Sequence, residues 1–281
     1  MRCTFRLAAA TKRTARSVLG VLCALACVTL PAAERYTGLA YARNGDQLLY
    51  REMHWHYSAD GVGQAVVLYE CPEGAPFARK HLIEVPSASA PDFDFQDERD
   101  GYREGVHRVD GRREVYVQER RDAKVQRRAL PPTAGGVIDA GFDTFVRANW
   151  STLSTGTPLT IAFLVPSHFE FLSLKLSNAT HTTLEQQPAT KLHMGLSAWY
   201  GFAVPGFELT YDRAGQRLLR FEGIGTVRDA GGHNQDVRIV FPEADRVSHV
   251  PDQEVSAALG RRLISTCSPS GSASATPAAT Y

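Results

Sequence analysis

From Tyr36 to about Leu130 apolar and polar residues alternate in short runs, each closed by a turn signal. A period of two predicts strands rather than helices. The first run, 36–43, ends at Asn44 and Gly45, a dipeptide that favours a tight hairpin because both residues tolerate positive φ. Residues 47–57 form the returning strand, Asp60 and Gly61 begin the next turn, and the valine-rich run 64–71 is a third strand. Pro72, Glu73 and Gly74 then turn the chain into 77–85. Runs 112–119 and 124–130 form another pair, in which bases alternate with apolar residues as on an edge or solvent-facing strand.

The period then changes. Ile138, Phe142, Phe145, Val146, Trp150 and Leu153 recur at helical spacing. This predicts a helix over 138–153, with Asp139 near its start and Gly156, Thr157 and Pro158 at its end. So aromatic a stripe needs a large apolar surface, and the concave face of a sheet is the expected seat. Strands resume at 159–165 and 169–176, separated by Pro166. Residues 183–199 give no clear pattern. Runs 207–213 and 217–223 form a hairpin, 237–241 is a last strand and 252–263 a short helix. Tyr41, Arg43, Gly45, Leu48, Leu49 and Glu52 recur at the same offsets as Tyr211, Arg213, Gly215, Leu218, Leu219 and Glu222, which reads as one hairpin pattern used twice. The expected fold is α+β and β-rich: a curved antiparallel meander sheet, half-barrel or open barrel, packed on one amphipathic helix. It occupies a single domain over 34–265, followed by a Ser/Pro/Ala-rich tail, 266–281, expected to be disordered.

The N-terminal stretch has a different character. Arg2, Arg6, Lys12, Arg13 and Arg16 precede an apolar run, 17–30, and small residues precede Glu34. That order is the mark of a secretory signal over 1–33, with cleavage after Ala33 or Ala32. The run is shorter than the roughly 20 residues a permanent membrane-spanning helix needs. The expectation is an exported, periplasmic protein that is not integral to a membrane. A lipoprotein anchored at Cys27 is the alternative. Five of the 31 basic residues and none of the 30 acids fall in this segment, so the remainder is mildly acidic. Such a balance gives no reason to expect a nucleic-acid partner. Cys71 and Cys267 are the cysteines outside the segment, and in an oxidising compartment a disulfide between them and two free thiols are both open readings.

Candidate chemistry is sparse. Glu52, His54 and His56 lie at alternate positions of one strand and share a face. Two imidazoles and a carboxylate could hold zinc or serve acid–base chemistry, and a structural polar row is the plainer reading. Asp92, Asp94, Asp97, Glu98 and Asp100 begin like a calcium loop, but Asp97 stands where the loop needs glycine and Arg103 where it needs glutamate. A solvated acidic turn facing the bases of 112–128 fits better. No serine elbow, Cys-x-x-Cys, His-Glu-x-x-His or phosphate-binding glycine loop is present, so no cofactor is expected.

The stretch 207–223 (FELTYDRAGQRLLRFEG), with Val227, Arg228 and Asp229 and then Val237, Arg238 and Ile239, resembles a recurring segment of uncharacterised exported proteins of Gram-negative bacteria. Those proteins pair it with an early strand similar to 47–54 (QLLYREMH). The resemblance implies kinship without assigned chemistry. The order of meander, helix and further meander also resembles the half-barrel of periplasmic lipoprotein carriers, which implies a curved sheet around an apolar cavity for acyl chains. On that footing the expected function is binding or carriage of a lipid or other apolar envelope ligand. The expected lining is Phe142, Phe145, Trp150, Phe163, Phe171 and Trp199. An envelope hydrolase or metal-assisted enzyme using Glu52, His54 and His56, and a structural partner of an envelope protein, are the alternatives.

Overall fold

The computed structural model describes residues 33–197 and 206–268. The expected signal, Cys27, Trp199 and the tail beyond Ser268 lie outside them. Within them, 15 strands form one sheet. Strands β1 (Ala33–Ala42), β2 (Leu48–Ala59), β3 (Val62–Glu70), β4 (Pro76–Ser87), β5 (Ala90–Asp97), β6 (Arg103–Val109), β7 (Arg112–Gln118) and β8 (Gln126–Ala129) are a meander, each paired with the next. Strands β9 (Leu159–Val165), β10 (Glu170–Leu184), β11 (Gln187–Leu196), β12 (Phe207–Asp212), β13 (Leu218–Arg228) and β14 (Asn234–Val240) are a second. The two join where β14 pairs antiparallel with β1, Leu39 opposite Val240 and Ala42 opposite Val237. A short β15 (Val247–Val250) extends the pairing of β1. The repeated sequence pattern has a physical counterpart: the β1–β2 and β12–β13 hairpins shift register at the same point, at Tyr41 and at Tyr211.

The sheet is open between β8 and β9. Its ends nevertheless approach each other. Pro166, Ser167 and His168 make one 3-10 turn, and Phe169, at φ 56, is buried in the same cluster as Val106 and Val115 of β6 and β7. The Arg128 guanidinium of β8 stacks 4.7 Å above the Phe169 ring. The chain between β8 and β9 runs along this seam. Val137 bridges β9, donating to Ala162 O at 2.8 Å and accepting from Leu164 N at 2.9 Å, and Ile138 N donates to Ser89 O at 3.1 Å. The result is an open barrel whose seam is stitched by a linker.

The helix expected over 138–153 is replaced by two shorter pieces, α1 (Gly141–Ala148) and α2 (Trp150–Leu153). At the start, Asp139 sits at φ 46, outside the helical region, where Asp is among the better tolerated residues. At the break, Asn149 divides its N–H between Phe145 O and Val146 O, and its side-chain amide caps Phe145 O at 2.9 Å. Gly141 starts α1 flush against the β4–β5 turn, where a Cβ would strike the Ser89 carbonyl.

The acidic segment expected as a turn contributes β5. Phe93 and Phe95 point into the barrel, 4% and 0% exposed, and Asp94 points out. Inside the barrel one apolar cluster gathers Tyr50, Tyr69, Phe77, Phe95, Val115 and Ile239, with Tyr69 and Phe95 edge-on at 5.5 Å. A second gathers Val146, Leu153, Ile161, Leu176, Leu192 and Tyr211 around α1 and α2. On the outer face, α3 (Asp252–Gly260) covers Trp55, Val66 and Leu68 with Val255 and Ala258. Covered on both faces, β3 carries the unbroken apolar run Ala65, Val66, Val67, Leu68, Tyr69. Beyond α3, Ile264 N donates to Pro76 O, Ser268 N to Glu73 Oε1, and Cys71 and Cys267 are bonded with Cα atoms 5.6 Å apart. Residues 266–268, placed by sequence in a disordered tail, are thus tied to the β3–β4 turn.

Candidate functional site

Strand alternation carries Tyr50, Glu52, His54 and His56 to the concave face, while Met53, Trp55 and Tyr57 join the outer cluster under α3. The three metal candidates do share a face, but they face different partners. His54 Nε2 lies 2.9 Å from Glu52 Oε2, and His56 Nε2 lies 3.0 Å from the Tyr36 hydroxyl. Tyr36 stacks on His54 at 4.6 Å, and the Arg246 guanidinium lies 4.4 Å from the centroid of the Tyr36 ring. Burial, helped by His54, Arg147 and Arg246, pushes His56 down to about 3, so the imidazole stays neutral in ordinary buffers. Burial likewise raises the Tyr36 hydroxyl. Among the described residues only Cys71, Glu73 and Cys267 bring three ligand atoms within 4.8 Å of one another, and the two sulfurs there are bonded to each other. The histidine row is therefore a hydrogen-bonded interior patch without convergent ligand geometry.

A second polar group lies deeper. Lys80 falls between Ala78 and Leu82 on the inward face of β4 and reaches Asp139 Oδ2 at 2.7 Å. Its ammonium sits 5.9 and 5.7 Å from the centroids of the Phe93 and Phe95 rings. Glu104 of β6 accepts the Tyr102 hydroxyl at 2.8 Å, and burial pushes it up to about 7, opposed by Tyr102 and Lys80 and reinforced by Asp139. The Lys80 ammonium is paired with Asp139 and reaches Glu104 only through its field, and the linker that closes the seam is held from inside by a buried ion pair.

The acids of β5 and the turn after it are satisfied by neighbours. Asp92 is shared by Arg113 at 2.6 Å and Arg108 at 3.3 Å, Asp94 accepts from Tyr116, Asp97 pairs with Arg99 and Glu98 with Arg121. The bases of β7 and the turn after it do face this segment.

The expected lining residues divide. Phe142, Phe145, Trp150 and Phe163 pack against the second apolar cluster, with Trp150 edge-on to Tyr211 at 5.8 Å. Phe171 lies at the seam, where a recess of about 600 Å³ opens between the β4–β5 turn, β7, β8 and the linker. Ala90, Leu130, Pro131, Pro132, Ile138 and Phe171 give it an apolar floor, and Arg112 and Arg113 stand at its rim. That volume falls within the range of small-molecule sites. Sequence reasoning passed over Leu130, Pro131, Pro132 and Arg112 as loop and edge-strand residues. The long linker between two sheet edges was the available signal. No helix among the described residues is long and apolar enough to cross a membrane.

No family model matches the chain, and no curated protein does. Solved structures do resemble it. One is a β-barrel-like protein of the domain of unknown function DUF1849 from Brucella abortus, 9% identical, with 79% of this chain and 99% of that one covered and a TM-score of 0.45. Another is a DUF1329 family protein from Desulfovibrio piger, 9% identical, covering 79% and 88% with a TM-score of 0.29. Neither likeness brings assigned chemistry with it.

Proposed function

We propose that the protein is an exported, periplasmic binding or carrier protein for an apolar or amphipathic envelope ligand, and that the ligand enters at the seam. The observation that carries this reading is the recess with its floor of Leu130, Ile138 and Phe171, contiguous with the barrel core. An apolar hollow flanked by a few polar groups is the ordinary form of a small-molecule site. The linker over it is bounded by Pro131 and Pro132 and by Gly135 and Gly136, so its path is set by backbone preference as well as by contacts.

The test is to express the full chain with its own leader, purify it natively from the periplasm, and weigh it before and after organic extraction. A near-stoichiometric apolar passenger supports the reading, as does its loss when Ala129→Trp or Thr133→Trp, both at exposed positions lining the recess, obstructs the entrance. Protein recovered from the cytoplasm, or periplasmic protein that arrives empty and takes up neither added fatty acid nor phospholipid, overturns it.

A further inference from the structure

We infer that the seam selects an amphiphile with an anionic head group: arginines of β6, β7 and β8 hold the head, and the chain lies on the apolar floor. This rests on the binding reading above and names the class of ligand.

The argument is one of charge. Arg112 and Arg113 line the recess; Arg108 lies across from Arg113, and Arg128 lies across from Val115, next to the lining residue Ala129. Asp92 is shared between Arg108 and Arg113, so one carboxylate serves two guanidinium groups. Arg113 also donates to Ala90 O at 3.0 Å and Pro91 O at 2.9 Å, which fixes it as scaffold. Arg112 and Arg128 are exposed, and among the described residues neither meets a carboxylate within 4.0 Å. Arg128 stacks on Phe169. Asp110, in the turn before Arg112, and Glu114, two positions along its strand face, are the other acids here, so Arg108, Arg112, Arg113 and Arg128 stand against Asp92, Asp110 and Glu114 and the segment keeps a small positive excess. Uncompensated guanidinium groups beside an apolar hollow favour a carboxylate or phosphate, which they can grip through paired N–H donors. The low dielectric of the floor strengthens that attraction relative to open surface.

Four probes with the same twelve-carbon chain separate head from tail: dodecyl phosphate, laurate, dodecyl maltoside and dodecylphosphocholine. Binding to the full chain is followed by calorimetry below their micellar concentrations. The two anionic probes should bind about tenfold more tightly than the other two at low salt, the gap narrowing as salt screens the rim. An Arg112→Gln/Arg128→Gln variant should cut the preference for the anionic probes to about twofold, and Arg112→Gln alone should cut it part of the way. Both positions are exposed, and circular dichroism checks that the variants stay folded. Phosphate ahead of laurate marks a phospholipid-type head, and parity marks a general anion site; both support the inference. Equal binding of all four overturns it while leaving the apolar site standing. Anionic preference that survives the double variant overturns the assignment to these arginines. Failure of all four to bind removes the binding reading itself.

Discussion

Replacing Lys80 by methionine takes away the ammonium that faces Asp139 and leaves Asp139 and Glu104 inside the barrel without it. The Lys80 and Asp139 side chains are 7% and 13% exposed, so water gives little relief. Breaking one side of such a pair costs about 3–5 kcal/mol, a third or more of the stability of many domains. Asp139→Asn should cost less, about 1–3 kcal/mol, because the amide oxygen still accepts from Lys80 and the loss of the Asp139 charge eases ionisation of Glu104, which lies in the field of the same ammonium. The double variant Lys80→Met/Asp139→Asn removes both charges, so its cost should fall short of the sum of the singles by about 2 kcal/mol. Urea unfolding at pH 7, with the disulfide intact, gives the three differences. Hydrogen exchange gives the place: the amides of Val137, Ile138 and Leu164, which carry the linker's hydrogen bonds, should exchange faster in Lys80→Met than those of β2 and β3. Single costs that add to within about 0.5 kcal/mol, or uniform exchange across the barrel, would refute the idea that this pair pins the linker.

Two further outcomes follow from the geometry. Cys71→Ala/Cys267→Ala opens a link between residues 196 apart in sequence and should lower stability by up to about 5 kcal/mol in urea; no change in midpoint would show that the C-terminal strap holds without it. His56, pushed down to about 3, and Glu104, pushed up to about 7, act in opposite senses. Below its usual 6.5, His56 takes a proton only when unfolded, so its share of stability is lost as pH falls. Above its usual 4.5, Glu104 keeps its proton only when folded, so its share is lost as pH rises toward 7. The two nearly cancel between pH 4.5 and 6.5. Relative to the parent, His56→Gln should therefore lose about 3 kcal/mol from pH 4.5 to 6.5, and Glu104→Gln should gain about 3 kcal/mol over the same range. Parallel pH curves for both variants and the parent would sink the assignment.

Strands with one buried face were legible because alternation in sequence and in structure have the same period. That rule placed Glu52, His54 and His56 on one face, and applied to Ala78, Lys80 and Leu82 it would have put an ammonium inside the barrel. It failed at β5, where Asp92, Asp94 and Asp97 look like a solvated turn. Their partners Arg113, Tyr116 and Arg99 come partly from a strand that no local window contains. It missed β6, whose inward Glu104 and Val106 differ in polarity. The helix over 138–153 was legible as a stripe but not as two pieces, since Asp139 answers to a lysine 59 residues earlier. The recess was hidden for a related reason: its floor comes from three separated segments joined only by the curl of the sheet.

The pairing of β1 with β14 sets a timetable. The first strand of the sheet made is among the first parts of the chain to exist, yet the partner for its outer edge is nearly the last: Ala40 waits for Ile239. Cys71 likewise waits for Cys267. Throughout synthesis the first meander carries an open edge and an uncovered apolar concave face, the conditions under which strands pair with the wrong neighbour. Contacts so distant in sequence also form slowly. For this chain, completion of the barrel therefore waits on its last strands, and the first meander gains its outer partner only when they arrive.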